Sequence, residues 1–321
     1  MRVELTQGSP EWLAFREGRI GSSDAPVIVG ESPYKSTFQL WAERVTGTPV
    51  ELDEGTKRLF RMGHLFETPL LDHYAQERGV PVERGPVFLS DELPFLSASL
   101  DGLAGDRIVE AKYSNADDWP HEGVPDHVVI QAQHQMYVTG FEVVDVVALI
   151  RGYVRIVEVP RDPALIDDVL SLEGLFHAAV LDRTPLPSWI DGSEGSRKAI
   201  LRIYPTNTAR MRAADPEAIA LVTRLLDLRE DLRVLAAEVD TTENAVRFLI
   251  GESEGVEGPG FRVTYRNRRD GVKVGWEQVA FGYRTLLEQS GASPETLDTI
   301  RSLYTAEVPG ARVLRVNRTE E

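Results

Sequence analysis

The spacing of apolar and polar positions changes period several times along this chain, and each change marks an element. After Gln7-Gly8-Ser9-Pro10, a helix is predicted with Ser9 as cap and Pro10 as its first residue, burying Trp12, Leu13 and Phe15. A second helix start is read at Ile20-Gly21-Ser22-Ser23-Asp24, with Ser22 or Ser23 as cap. Helical spacing continues over Ser36–Thr46 and Glu54–Arg78, where Phe60, Gly63, Glu67, Leu71 and Tyr74 share one face. The period then falls to two, predicting strands over Val80–Glu83, Pro86–Ser90 and Phe95–Leu100. Arg107–Tyr113 alternates as well, and it reads as a hairpin partner of Phe95–Leu100 across a turn containing Gly102 and Gly105. A Pro- and Asp-rich loop, Ser114–Asp126, precedes a helix in H-V-V-I-Q-A-Q-H-Q-M-Y-V-T-G, which Gly140 ends. A strand pair, Val143–Ile150 and Tyr153–Val159, and a helix over Ala164–Leu181 follow. That helix is expected to pack through Leu165, Val169, Leu172, Leu175 and Phe176.

Composition shifts at Thr184-Pro185-Leu186-Pro187, and beyond Pro205 the pattern is different, so two domains are expected, 1–204 and 205–321. The second opens with a long Ala-, Leu-, Arg- and Glu-rich helix over Ala209–Val239, then a shorter helix, Thr242–Ile250, and a strand, Gly260–Arg268. Helices around Trp276–Glu288 and Pro294–Leu303 and a strand over Ala311–Asn317 complete it. Arg262, Arg266, Arg268, Arg269 and Lys273 form a basic cluster there. Such a cluster suits either a phosphate backbone or a strand edge protected by charge.

Composition narrows the function classes. No apolar run approaches the ~18–20 residues of a membrane span, so no membrane role is expected. The first ten residues lack the apolar stretch of a signal peptide, and a cytoplasmic location is the expectation. With no cysteine, disulfides, zinc–thiolate sites and iron–sulfur clusters are excluded. The formal charge of −16 argues against non-specific nucleic-acid binding over the whole surface, although an acidic metal-binding cleft is compatible with it.

The stretch S-A-S-L-D-G-L-A-G-D-R-I-V-E-A-K, residues 97–112, carries the chemistry. Glu110 and Lys112 are two apart in a strand and point the same way, and a hairpin brings Asp101 level with Glu110. Two carboxylates held together repel unless a cation lies between them, and hard oxygen ligands suit Mg²⁺ or Mn²⁺. Taken alone, the same spacing also describes an ordinary hairpin with a charged edge. Glu67 interrupts an apolar stripe, which suits a metal ligand or a carboxylate paired with Arg61 or Arg78. Arg16 ahead of a hydroxyl-bearing helix start at Ser23 suits a phosphate, or simple capping beside a surface arginine. Gln131 is placed to bond a water, a nucleotide or a neighbouring backbone group.

Taken in order, the motifs W-L-A-F-R-E-G-R-I-G-S-S-D, M-G-H-L-F-E, S-L-D-G, V-E-A-K and Q-A-Q-H-Q-M-Y-V-T-G resemble those of the YqaJ-like viral recombinases. These are the lambda-exonuclease group within the PD-(D/E)xK nucleases. The resemblance spans roughly Gln7–Val159 and implies an α/β (α+β) fold, a restriction-endonuclease-like core with a mixed central sheet flanked by helices. It further implies that Asp101, Glu110 and the Ala111 carbonyl hold Mg²⁺, with Mn²⁺ as substitute, and that Glu67 completes or supports the metal site. Lys112 would position the attacking water, Gln131 would lie beside the scissile phosphate, and Arg16 and Ser23 would bind the 5′ phosphate. The implied activity is a 5′→3′ exonuclease on double-stranded DNA ends, leaving 3′ overhangs for a single-strand annealing protein, in a homotrimer around the DNA. Two departures stand out: Leu100 occupies the usual proline position, and Gly21-Ser22 replaces the commoner Thr-Ala. The extension after Pro205 is not part of the resemblance.

Overall fold

The computed structural model describes residues 1–49, 54–114, 119–208, 210–266, 276–291 and 293–303. The chain divides into two compact units, Met1–Pro205 and Thr206–Glu321.

In the first unit the elements run β1 (Arg2–Val3), α1 (Pro10–Arg16), β2 (Ile20–Gly21), α2 (Ala25–Val29), α3 (Thr37–Thr46) and α4 (Glu54–Arg78). Then come β3 (Glu83–Arg84), β4 (Val87–Leu89), β5 (Leu96–Ser99), β6 (Gly102–Ala104), β7 (Arg107–Ser114) and α5 (Asp126–Thr139). The unit closes with β8 (Val143–Ile150), β9 (Tyr153–Pro160), α6 (Pro163–Leu181) and α7 (Glu194–Ile203). Local chemistry sets the ends of several. Ser9 accepts from the Trp12 N–H and caps α1, Ser36 caps α3, and Gly140 at φ 79° closes α5. The β8–β9 hairpin turns on Arg151 and Gly152, both at positive φ, as its two-residue loop requires.

Among the described residues of this unit, five strands form a mixed sheet in the order β3-β6-β7-β8-β9, in which only the β7–β8 pair is parallel. The parallel pair needs a crossover, and α5 supplies it. A second sheet, β1-β4-β5-β2, lies beside it. Ile108 and Val146 belong to one buried cluster with α5, α6 and β5, which contains Met136, Phe176 and Leu96. Val109 and Val147 face the other way and pack with Leu70, Leu71 and Tyr74 of α4. The central sheet therefore has a helix on each face, which is the mixed, helix-flanked α/β arrangement the sequence led us to expect.

Several sequence expectations are corrected. Phe95–Leu100 does not pair with Arg107–Tyr113: β5 pairs with β4 and β2, and the hairpin partner of β7 is β6, across the two-residue turn Gly105-Asp106. Alternation gave each strand its faces but not its partner. The second helix begins at Ala25, with Asp24 and not Ser22 or Ser23 at the N-cap position and no side-chain cap bond from it. No residue of α1 is buried, and Leu13 is exposed. In α6 the buried positions are Ile166, Val169, Glu173, Phe176 and Ala179, whereas Leu172 and Leu175 face outward. Helix α7, capped by Ser193, was not anticipated.

The second unit consists of α8 (Pro216–Ile250), a hairpin of β10 (Gly255–Gly258) and β11 (Phe261–Thr264), α9 (Trp276–Gln289) and α10 (Pro294–Leu303). The two helices expected over 209–239 and 242–250 are one continuous helix that starts later, behind the Asp215 cap. Arg262 and Arg266 pair with Glu257 and Glu254 along the hairpin, as strand-edge charges do. Arg268, Arg269, Lys273 and the strand expected at Ala311–Asn317 lie outside the described residues. Among those residues no helix is long and apolar enough to cross a membrane.

Candidate active site

Strand alternation builds the site. Val109 and Ala111 of β7 face α4, and Glu110 and Lys112 face α5. On α5, Gln131 and Gln135 are one turn apart and both reach β7. Gln131 Nε2 donates to Glu110 Oε1 at 2.7 Å, and Gln135 Nε2 donates to Glu110 Oε2 at 2.7 Å. Lys112 Nζ donates to Glu110 Oε1 at 2.6 Å and to Gln131 Oε1 at 2.8 Å. Glu110 is thus 4 % exposed with both oxygens occupied, which is how a carboxylate tolerates burial.

Asp101 enters from the other side of β7. The β6–β7 ladder ends at Gly102 opposite Val109, and one residue earlier Asp101 Oδ2 accepts from the Ala111 N–H at 2.9 Å. In an extended strand the N–H and C=O of a residue point to the same side, so the Ala111 carbonyl faces Asp101 as well. The approach to Asp101 is fixed at three points. Gln7 Nε2 donates to the Leu100 carbonyl at 2.8 Å, and the Gly85 N–H donates to the Asp101 carbonyl at 3.1 Å. At Gly102 an added Cβ would lie 2.7 Å from Val82 Cγ1 and 3.0 Å from Leu71 Cδ2. Glycine here lets α4 press against the sheet beside Asp101.

The electrostatics follow from this crowding. Burial raises the Asp101 carboxyl well above the usual range, and the charges of Glu110 and Glu67 add to the rise against the opposing pull of Lys112. Burial alone would lower the Lys112 ammonium, but the charges of Glu110 and Asp101 and the hydrogen bond to Glu110 hold it above the ordinary lysine value. Lys112 is therefore a cation at neutral pH.

Glu67 is close enough to influence Asp101, but it sits on the half-exposed part of α4 with His64 Nδ1 at 3.7 Å, and not with Arg61 or Arg78. Burial of α4 begins one turn later, at Leu70. Among the described residues no group of three or more His, Cys, Asp or Glu side chains is placed to hold a metal ion. The structure thus brings Asp101, Glu110, Ala111, Lys112 and Gln131 together and leaves Glu67 at the margin. The acidic donors there are hard oxygens, and Glu110 and Glu67 set further negative charge beside the buried Asp101 carboxyl. Both features fit a divalent cation such as Mg²⁺.

Arg16 stacks over the Trp12 ring, 4.7 Å from its centroid, and its guanidinium lies against Gly21. It lines a cavity of about 410 Å³ together with Arg19, Lys35 and Arg44, whose charges are partly met by Asp24 and Glu43. None of Asp101, Glu110 or Lys112 lines that cavity, and neither does Ser23, which is exposed on the turn before α2. The link between Arg16 and the carboxylates is Trp12, whose Nε1 donates to Ser99 Oγ at 2.9 Å, two residues before Asp101.

Two contributors escaped the sequence reading. Gln135 was given no role of its own, although its i, i+4 relation to Gln131 places both on one face of the helix. Gln7, far off in sequence, gave no signal.

Residues 11–142 match the YqaJ-like viral recombinase domain family. The chain is 27 % identical over 255 residues to "Uncharacterized protein YqaJ" of Bacillus subtilis (strain 168), a match covering 76 % of this chain and 79 % of that protein. Among solved structures, the alkaline exonuclease LHK-Exo of Laribacter hongkongensis aligns at 22 % identity and TM-score 0.44, over 55 % of this chain and 94 % of that one. A phage-related exonuclease from Haemophilus somnus 129PT aligns at 13 % identity and TM-score 0.40, over 51 % and 96 %. The family match covers the elements from α1 to α5, so this part of the first unit is similar to the YqaJ-like viral recombinase domain.

Proposed function

We propose that the first unit is a Mg²⁺-dependent deoxyribonuclease acting as a 5′→3′ exonuclease on double-stranded DNA ends. The observation that carries this reading is the cluster itself: Asp101 on the Ala111 N–H, with Glu110, Lys112 and Gln131 joined to one another across β7 and α5. The names of the exonuclease structures point the same way.

In this reading Asp101, Glu110 and the Ala111 carbonyl hold the ion, and Glu67 supports the site from its margin. A divalent cation bound there would polarise a phosphoryl oxygen and lower the pKa of a bound water. The remaining work falls to the chain. Lys112, kept cationic by Glu110 and Asp101, holds the attacking water or meets charge gathering on the phosphate. Gln131 fixes Lys112 from one side and presents its amide beside the scissile phosphate. Arg16 and Ser23 receive the 5′ phosphate. Water adds to phosphorus, the 3′ oxygen leaves with a proton, and the shortened strand leaves a 3′ overhang for an annealing protein. A trimer around the duplex would keep the enzyme on its substrate.

The test uses end-labelled linear duplex and closed circular DNA, with Mg²⁺, Mn²⁺ or chelator. Expected are digestion of the linear form alone, from 5′ ends, dependence on the metal, and its loss in Asp101→Ala. Nicking of circles would replace the exonuclease with an endonuclease, and full activity of Asp101→Ala would remove the assigned site.

A further inference from the structure

Helix α8 spans 35 residues, roughly 50 Å, and among its residues only Ile250 is buried. One stripe of it follows a strict rhythm: Ala218, Leu221, Leu225, Leu228, Leu232, Leu235, Val239, Thr242, Val246 and Leu249 alternate steps of three and four, all apolar except Thr242, while Ile219, Val222, Leu226, Val234 and Phe248 lie off it. This is a heptad repeat with Ala218, Leu225, Leu232, Val239 and Val246 at a and Leu221, Leu228, Leu235, Thr242 and Leu249 at d. It runs for more than the three to four heptads that distinguish a coiled coil from an ordinary amphipathic helix. The stripe is open to solvent, with Leu221 at 65 %, Leu232 at 66 % and Leu249 at 78 % exposure. A single helix does not bury such a seam on its own.

The flanking charges select the occupant. In a parallel, in-register pair of α8 helices, each g residue meets the e residue five positions on in the other copy. Arg224 would then face Arg229, and Glu238 would face Glu243, each contact occurring twice. In an antiparallel pair centred near Ala237, Leu225 meets Leu249, Leu228 meets Val246, Leu232 meets Thr242 and Leu235 meets Val239. That alignment fills every layer between Leu225 and Leu249. It also sets Arg229 against Glu243 of the second copy, twice, and leaves one Glu238–Glu238 contact as the like-charge meeting. Glu243 already pairs with Arg247 on its own helix, so Arg229 from the second copy extends an existing ion pair.

We propose that α8 is a self-association element, joining two copies of this chain as an antiparallel coiled coil. The proposal stands independently of the nuclease reading, because its test uses no DNA and no metal. Since the chain has no cysteine, single cysteines report helix direction directly. Full-length Leu235→Cys and Val239→Cys proteins are oxidised separately and as an equimolar mixture. Cross-linked dimer in the mixture, with little in either protein alone, is the expected result; cross-linking of Val239→Cys with itself means a parallel pair and overturns the proposal. Sedimentation equilibrium of the full chain should show at least a twofold drop in assembly mass for Leu232→Asp, which alters only an exposed side chain. Arg229→Glu alone should weaken association, and Arg229→Glu with Glu243→Arg should restore it. Unchanged mass in Leu232→Asp, or no cross-link in the mixture, would mean that α8 serves another partner or none, and the proposal fails.

Discussion

At the scale of single residues, both oxygens of Glu110 are engaged, by Lys112 and Gln131 on one and by Gln135 on the other. Glu110→Gln is nearly isosteric but turns one acceptor into a donor facing these donors. We expect it to lower turnover on linear duplex by roughly 10²–10⁴-fold, with the circular-dichroism spectrum unchanged. Gln135→Ala leaves Glu110 Oε2 buried without that donor, and a loss of about 1–3 kcal/mol in denaturant unfolding is expected. A second buried pair gives a pH signature. His134 Nδ1 lies 2.6 Å from Glu173 Oε1 and Nε2 lies 3.1 Å from the Ser97 carbonyl, so both ring nitrogens face acceptors, an arrangement that favours the doubly protonated ring. Burial opposes that charge, but Glu173, the two hydrogen bonds and the more distant Asp24 raise the imidazole above its ordinary 6.5. A histidine whose folded value is raised stabilises fully below its unfolded value, and the gain disappears as pH climbs through the folded value. Melting temperature should therefore decline as the solution passes from mildly acidic to alkaline, and His134→Gln should flatten that decline. Of these residues the sequence paired Glu110 with Lys112 through their spacing in a strand, and joined Gln131 to them only through the resemblance of its motif. His134 and Glu173 gave no such sign: each lies on the buried side of a helix, and their meeting depends on how α5 and α6 pack.

At the scale of elements, α4 is fastened to the sheet by a polar clamp and by a close approach. Tyr74 donates to Asp145 Oδ2 at 2.6 Å, and Arg107 reaches both oxygens of the same carboxylate, at 2.6 and 2.8 Å. Burial and that hydrogen bond push the Tyr74 phenol up to about 12, while Asp145, despite its own burial, is held below the usual range by Arg107 and Tyr74. Tyr74→Phe should cost about 1 kcal/mol, since Asp145 keeps Arg107, and Asp145→Ala about 3 kcal/mol, read by chemical denaturation. Gly102→Ala should cost about 1–3 kcal/mol, because the new methyl meets Val82 and Leu71 with little room to yield. It should also lower activity by displacing the turn that carries Asp101. The bounds of α4, α5, β8 and β9 were readable because their periodicity is long and ends in capping or turn residues. Strands β1 and β2, two residues each, were not, since nothing but a distant partner defines them.

At the scale of the whole molecule, each unit is a compact body of the chain, and the first holds its own buried clusters. We expect residues 1–205, expressed alone, to give a single cooperative melt close to that of the corresponding transition in the full chain. A molten product without a cooperative transition would show that the second unit is needed to complete the first. The continuity of α8 from Pro216 to Ile250 was not legible in the sequence, where two helices were expected over 209–239 and 242–250. Strand β7 runs between the two buried clusters of the first unit, with successive side chains assigned to opposite sides. Such a strand tolerates exchange of residues far better than a change in their number. One extra residue between Ile108 and Glu110 would turn the carboxylate and the ammonium into the oil around Tyr74 and offer a valine to Gln131 and Gln135, so insertions and deletions there should abolish folding and chemistry together.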